Sequence, residues 1–221
     1  MTFNTVIFDF GGVITSSPFE AFNRMEAKNG LPKDFVRSVN ARNPDDNAWA
    51  KFERAECSAA EFDTLFAAEA RALGHELDGA SVIACLSGDI RPDMVAALDM
   101  LKSKGFGLGC ITNNVPSGKG AGMAVSDEKA AAISAVMDRF DHIIESSKAG
   151  VRKPDPRIFH EAAARAGVPA EAVLHIGDDA HLDGVGALGA GMQCVWINRD
   201  GHDWPSELSQ PLTYASLSDL L

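Results

Sequence analysis

Five short apolar runs, each too brief for a helix and alternating with helical patterns, set the architecture open to this chain. They are V-I-F-D-F (Val6 to Phe10), G-L-G-C-I-T (Gly107 to Thr112), H-I-I-E (His142 to Glu145), V-L-H-I-G-D (Val173 to Asp178) and Q-C-V-W-I-N (Gln193 to Asn198). Such runs read as strands covered on both faces, as in a parallel sheet between layers of helices. Helix punctuation agrees: Pro92 and Gly105 bracket one helix, and Asp155, Pro156 and Gly167 bracket another. The expectation is an α/β fold with a Rossmann-like parallel five-stranded sheet flanked by helices.

One region breaks the alternation. From Ser16 to Gly88 no run reads as a strand; amphipathic segments stand at Phe19 to Asn29, Asp34 to Ala41, Ala48 to Ala55 and Ser58 to Leu73. The last opens on a capping box, Ser58 with Glu61, and carries Phe62, Leu65, Phe66 and Leu73 on one face. Residues 16–88 are therefore expected as an inserted α-helical cap domain, with 1–15 and 89–221 forming the core. An insertion after the first strand lies over the carboxyl edge of the sheet, where ligands bind in open α/β folds.

Composition narrows the function. With 221 residues, 46% of them apolar, the chain can bury a sound core. It has no stretch of ~18 uninterrupted apolar residues and no signal-peptide pattern, so the expected location is cytoplasmic. Cys57, Cys85, Cys110 and Cys194 are scattered without a Cys-x-x-Cys pair, and read as reduced core thiols. A formal charge of −11 with no basic patch disfavours nucleic acid and anionic membrane surfaces. A phosphorylated metabolite remains compatible if a bound cation and a few placed donors reverse the local field. The loop Val115 to Met123 contains Gly-Lys, but lacks the hydroxyl residue and upstream glycine of a P-loop.

Chemistry-bearing residues collect at the strand ends. Asp9 closes the first strand ahead of Gly11 and Gly12; Thr112, Asn113 and Asn114 close the second; Lys153 precedes a helix in A-G-V-R-K-P-D-P-R-I-F; and G-D-D-A-H-L-D-G supplies Asp178, Asp179 and Asp183 after the fourth. His181, and the loop with His202, Asp203 and Trp204, read as surface.

In order and spacing these motifs resemble the haloacid dehalogenase superfamily, in the branch with a helical cap after the first motif. The segment from His142 to Phe159, with K-F-E-R-A-E, is similar to the phosphatase-like N-terminal domains of soluble epoxide hydrolase and of acyl-CoA dehydrogenase relatives. The resemblance implies covalent catalysis with Asp9 as nucleophile, Thr112 and Lys153 as catalytic partners, and Gly12, Asn113 and Asn114 at the substrate phosphate. It also implies Mg²⁺ held by Asp9, the Gly11 carbonyl, Asp178 and Asp183, the last through water or by orienting Lys153. Hard oxygen donors of this kind suit Mg²⁺, and a carboxylate can attack phosphorus once charge on the phosphoryl oxygens is dispersed.

Gly11 departs from the phosphatase pattern, which places an acid/base aspartate there. A backbone carbonyl survives the change, but a proton donor worth roughly 10²–10⁴ in rate does not. Asp179, Thr15 or a residue of the cap could replace it. Four readings are open: a slow Mg²⁺-dependent phosphatase acting on a small phosphorylated metabolite; a dehalogenase, which would need no metal; a phosphonate hydrolase, which would need a cap lysine such as Lys28, Lys33 or Lys51; or a non-catalytic phosphate-ligand-binding module. Trp49, Phe52 and Arg54 are candidate substrate readers, or simply packing of the cap. Monomer and homodimer are equally compatible with the sequence.

Overall fold

A computed structural model describes residues 3–120, 122–124, 126–199 and 201–215. Residue Ala121 of the Gly-Lys loop and residues 216–221 of the expected core therefore lie outside the described residues.

The strands are β1 (Thr5–Phe8), β2 (Gly107–Thr112), β3 (His142–Glu145), β4 (Val173–Gly177), β5 (Gln193–Ile197) and β6 (Leu212–Tyr214), all parallel, in the order β3-β2-β1-β4-β5-β6. The sheet thus has six strands, not the expected five. The sixth escapes a reading by apolar runs because it is a three-residue edge strand whose Leu212 is exposed; an edge strand needs burial on few sides. Along β1 the pleat sends Val6 and Phe8 into one buried cluster with Leu108, Cys110 and Ile176, and Ile7 into another with Ile111, Ile144 and Phe159. Both faces are covered, which is why the strands read as continuous apolar runs.

Between β1 and the rest of the sheet come α1 (Pro18–Lys28), α2 (Phe35–Asn40), α3 (Ala48–Glu53), α4 (Ala59–Ala72) and α5 (Gly79–Ile83). Capping boxes at Ser17/Glu20 and Ser58/Glu61 start α1 and α4. Phe22, Val36, Phe52, Phe62 and Phe66 form a cluster of their own in this segment. Leu65, expected on the inner face of α4, is 40% exposed; Phe62, Phe66 and Ala70 are the buried positions. The chain leaves and re-enters the sheet layer along two adjacent antiparallel paths. Ser16 N–H donates to Asp89 O at 2.8 Å, Arg91 N–H to Ile14 O at 2.9 Å, and a bridge pairs Thr15 with Ile90.

The remaining helices are α6 (Pro92–Ser103), α7 (Asp127–Met137), α8 (Ser146–Ala149), α9 (Pro156–Ala166) and α10 (Gly186–Gly189), with a π-helical turn at Ala180–Val185. All four cysteines are free; Cys110 and Cys194 are buried, whereas Cys57 and Cys85 are only half-buried. Among the described residues no helix is long and apolar enough to cross a membrane.

Candidate active site

The sheet order changes direction at β1, with β2 on one side and β4 on the other. In parallel sheets that switch leaves a crevice beyond the carboxyl ends of the strands. Asp9, Thr112 and Asp178 stand at the ends of these three strands, so the crevice opens between them. Asp9 N–H donates to Ile176 O at 2.8 Å, which extends the β1–β4 pairing and fixes the backbone below the carboxylate.

Four charged groups converge there. Lys153 Nζ lies 2.7 Å from Asp9 Oδ1 and 2.6 Å from Asp183 Oδ1, with the lysine and Asp183 side chains almost wholly buried. Asp183 Oδ1 also meets His175 Nε2 at 3.0 Å, and its Oδ2 accepts from Asp179 N–H at 3.1 Å. Asp183 can reach this position because Gly177 has no side chain: a Cβ there would stand 2.2 Å from that of Asp183. Asp178 is pinned through its carbonyl, which accepts from Trp196 Nε1 at 3.1 Å. Carboxylate oxygens of Asp9, Asp178 and Asp183 lie within 4.8 Å of one another.

The electrostatics arise from packing three carboxylates and one ammonium out of water. Burial raises Asp9 to about 7, with Lys153 opposing and Asp183 adding to the rise. Asp178 is raised well above the usual range by burial and then by Asp9, Asp183 and Asp179. For Asp183 burial pushes the same way, but Lys153 and His175 overcome it and hold the carboxyl below the usual range. Burial would depress the Lys153 ammonium, yet Asp183 and Asp9 keep it raised. Fully ionised, the three carboxylates outnumber the one ammonium in a buried place, which is why Asp9 and Asp178 hold their protons more tightly. A hard divalent cation fits that donor set: three carboxylates converge, and the Gly11 backbone borders the same cavity.

The structure brings Asp9, Gly11, Thr112, Asn113, Lys153, Asp178 and Asp183 around one cavity, closed from the other side by Phe19, Phe22, Trp49 and Glu53 of the helical segment. Gly12 sits beneath it against Asp178. Asn113 turns its amide to the lysine loop: Nδ2 donates to Lys153 O at 3.1 Å and Oδ1 accepts from Lys153 N–H at 2.8 Å, so only its main chain is free to meet a ligand. Asn114 is not part of the cavity lining. Its Nδ2 donates to Glu145 at 2.9 Å and its Oδ1 accepts from Ser147 Oγ at 2.8 Å, which makes it a brace between β2 and α8. Asp179 caps the π-helical turn by accepting from His181 and Leu182 N–H.

Of the three candidate readers only Trp49 borders the cavity. Phe52 is fully buried and stacked on Phe62, and Arg54 pairs with Glu56 at 2.7 Å. Trp204, expected at the surface, is half-buried and packs 5.6 Å from Trp196, over Gly184. Two site features escape a reading of the sequence. His175 looks like one more strand residue, and Glu53 one more charge in K-F-E-R; the only signal is that each is a polar residue at a position where the pattern calls for burial.

A family model for haloacid dehalogenase-like hydrolases matches residues 3–191, and the chain belongs to that family of hydrolases. A glyceraldehyde 3-phosphate phosphatase from Methanopyrus kandleri is 36% identical over 108 residues, 49% of this chain and 43% of that protein. Acyl-CoA dehydrogenase family member 10 from Mus musculus is 27% identical over 179 residues, 78% of this chain and 16% of that protein. A phosphoserine phosphatase from Thermus thermophilus is 30% identical over 134 residues, 58% of this chain and 49% of that protein. The chain spans less than half the length of each of these relatives. Among solved structures, the L-2-haloacid dehalogenase RSc1362 superposes with a TM-score of 0.71 at 20% identity, covering 100% of this chain and 97% of that one. The HAD-hydrolase YfnB from Bacillus subtilis, bound to magnesium, gives 0.67 at 23% identity, covering 100% and 97%. At such identities the likeness is one of fold.

Proposed function

We propose that this chain is a Mg²⁺-dependent phosphatase that hydrolyses a small phosphorylated metabolite through an aspartyl-phosphate intermediate on Asp9. The observation that carries the reading is the gathering of the Asp9, Asp178 and Asp183 carboxylates around Lys153 in one buried cavity. Phosphatases among the relatives support it. Bound among these carboxylates, Mg²⁺ would supply positive charge to the phosphoryl oxygens.

The chain's own groups do the rest. Asp9 attacks phosphorus in line with the leaving oxygen, while Lys153 balances charge on Asp9 and on the phosphoryl group. Thr112 Oγ1 and the Asn113 main-chain amide, both at the cavity, donate to a phosphoryl oxygen in this reading. Asp183, itself held by His175, holds Lys153, and Asn113 holds the backbone that carries it. Residues 16–88 act as a cap whose Phe19, Phe22 and Trp49 exclude water and read the part of the substrate remote from phosphorus.

The dehalogenase likeness in fold favours a second reading, attack of Asp9 on carbon. It leaves the convergence of Asp178 on the other two carboxylates without a purpose. One assay separates the readings. Phosphate release from an aryl phosphate and a panel of sugar and nucleotide phosphates is measured with and without Mg²⁺, beside Asp9→Asn. The phosphatase reading expects release that needs the metal and falls by roughly 10⁴-fold or more in Asp9→Asn. Metal-independent halide release from a 2-haloacid selects the dehalogenase, and ligand binding without either product selects a binding module.

A further inference from the structure

A phosphatase of this design needs a group that protonates the leaving oxygen and then deprotonates water, and Gly11 offers no side chain for it. Among the described residues that line the cavity, the carboxyl groups are those of Asp9, Glu53, Asp178, Asp179 and Asp183. Asp9 is the nucleophile, and Asp178 belongs to the cation cluster. Asp183 holds Lys153 and His175. Asp179 Oδ1 accepts from the main-chain N–H groups of His181 and Leu182, which ties that carboxyl to its own turn. The Thr15 hydroxyl donates to main-chain carbonyls, Phe10 O at 3.5 Å and Ser16 O at 3.2 Å. Glu53 remains.

Glu53 is held in place through its main chain and through one buried ion pair. It closes α3, and its carbonyl accepts from Ser146 Oγ at 2.7 Å, which fastens the end of that helix to the sheet layer. Its side chain is 5% exposed. Arg152 Nε lies 2.6 Å from Oε2, a buried ion pair in which the N–H is not aligned on the oxygen. Arg152 instead donates through Nη1 to Pro44 O at 2.9 Å, so the guanidinium is anchored independently of the carboxyl. Burial raises the Glu53 carboxyl above its ordinary range, with Arg152 and the Trp49 indole offsetting part of the rise.

We propose that Glu53, which the helical segment brings to the cavity that Asp9 also lines, is the general acid and base that position 11 lacks. The inference rests on the phosphatase reading above. As an Asp9 oxygen bonds to phosphorus and the ester P–O bond breaks, the Glu53 carboxyl passes its proton to the departing oxygen, and a neutral alcohol leaves. In the second step the Glu53 carboxylate takes a proton from water as the water oxygen bonds to phosphorus and the Asp9–phosphorus bond breaks. Phosphate leaves, with Asp9 and the Glu53 acid restored.

A double-mutant cycle tests it. Gly11 can accept a side chain: the nearest atom to a Cβ there is Pro18 Cδ at 3.7 Å, and its φ is not in the left-handed region. Glu53→Gln should lower steady-state turnover of an alkyl phosphate roughly 10²–10⁴-fold. With an aryl phosphate, whose leaving group needs no proton, it should still give a burst of one phenolate per enzyme before stalling. Gly11→Asp should restore turnover in the Glu53→Gln background at least about tenfold. Glu53→Asp, which keeps the acid, should retain more turnover than Glu53→Gln and carries the test should the glutamine variant not fold. A folded Glu53→Gln with parental turnover overturns the proposal, as does a loss that Gly11→Asp does not repair. If the parent itself shows no Mg²⁺-dependent release, the phosphatase reading has failed, and that result is seen before any variant is compared.

Discussion

Gly12 makes room for Asp178: a Cβ on the glycine would stand 1.9 Å from Asp178 Oδ2 and 2.4 Å from its Cγ. The backbone of Gly12 also has φ +82°, a region costly for residues with a side chain. Two demands, one conformational and one steric, fall on the same position. Gly12→Ala should therefore force Asp178 out of the cluster. Its stability cost is expected at ~1–3 kcal/mol, and the rise in melting temperature on adding Mg²⁺ should vanish with the activity. A Gly12→Ala protein with undiminished metal response would show that Asp178 is no ligand.

Lys153 is the cation that allows three carboxylates to share the cavity, so its removal separates structure from chemistry. Lys153→Met leaves Asp9 and Asp183 facing each other without it. Breaking a buried pair this way costs ~3–5 kcal/mol, measurable by urea denaturation in chelator. Mg²⁺ should return more stability to this variant than to the parent, since the unbalanced charge it meets is larger. Equal metal-induced gains in the two proteins would mean that the cation does not sit among these oxygens.

Asn113 tests how closely the lysine must be held. Its amide makes a two-point clamp on the main chain of Lys153, at 3.1 and 2.8 Å. Asn113→Ala should cost ~1–3 kcal/mol through the groups left unpaired, and should lower kcat more than it raises KM because the displaced group is the ammonium. A comparable change at Asn114, a brace to Glu145 and Ser147, should lower stability and leave the ratio of the kinetic effects near unity.

Much of the site is legible in the sequence because strand ends are legible. The apolar runs of β2 and β3 coincide with the observed strands residue for residue, and a parallel sheet delivers the residues after each strand to one common edge. That is why Asp9, Lys153, Asp178 and Asp183, spread over most of the chain, can be read together. The hidden features depend on side-chain direction. Asn113 and Asn114 are adjacent and chemically identical, yet the first clamps the lysine loop and the second braces the end of β2 to Glu145 and α8. Nothing in a strand pattern says that His175 lies under Asp183. Nor does K-F-E-R say that Glu53 turns inward while Lys51 and Arg54 pair with the carboxylates of Asp46 and Glu56. The sixth strand is hidden for the opposite reason, because an edge needs so little apolar sequence.

The raised carboxyl of Asp9 gives a pH dependence whose sign is fixed. Folded, it titrates at about 7; its ordinary value is 3.8. Between those limits the folded protein binds the proton that the unfolded chain has lost. The stabilisation from this group is therefore full below the ordinary value and is lost as pH rises through about 7. Asp183 acts the other way, but its lowered carboxyl gives up its contribution only on acidification below the usual carboxylate range. In chelator, then, the melting temperature of the parent should fall between about pH 5 and pH 7.5 relative to that of Asp9→Asn, which has no proton to lose at this position. Mg²⁺, which prefers the ionised carboxylates, should close that gap, and its stabilising effect should grow over the same interval. Parallel curves for parent and Asp9→Asn in chelator would show that Asp9 is already ionised at low pH, and that Lys153 outweighs burial at the nucleophile.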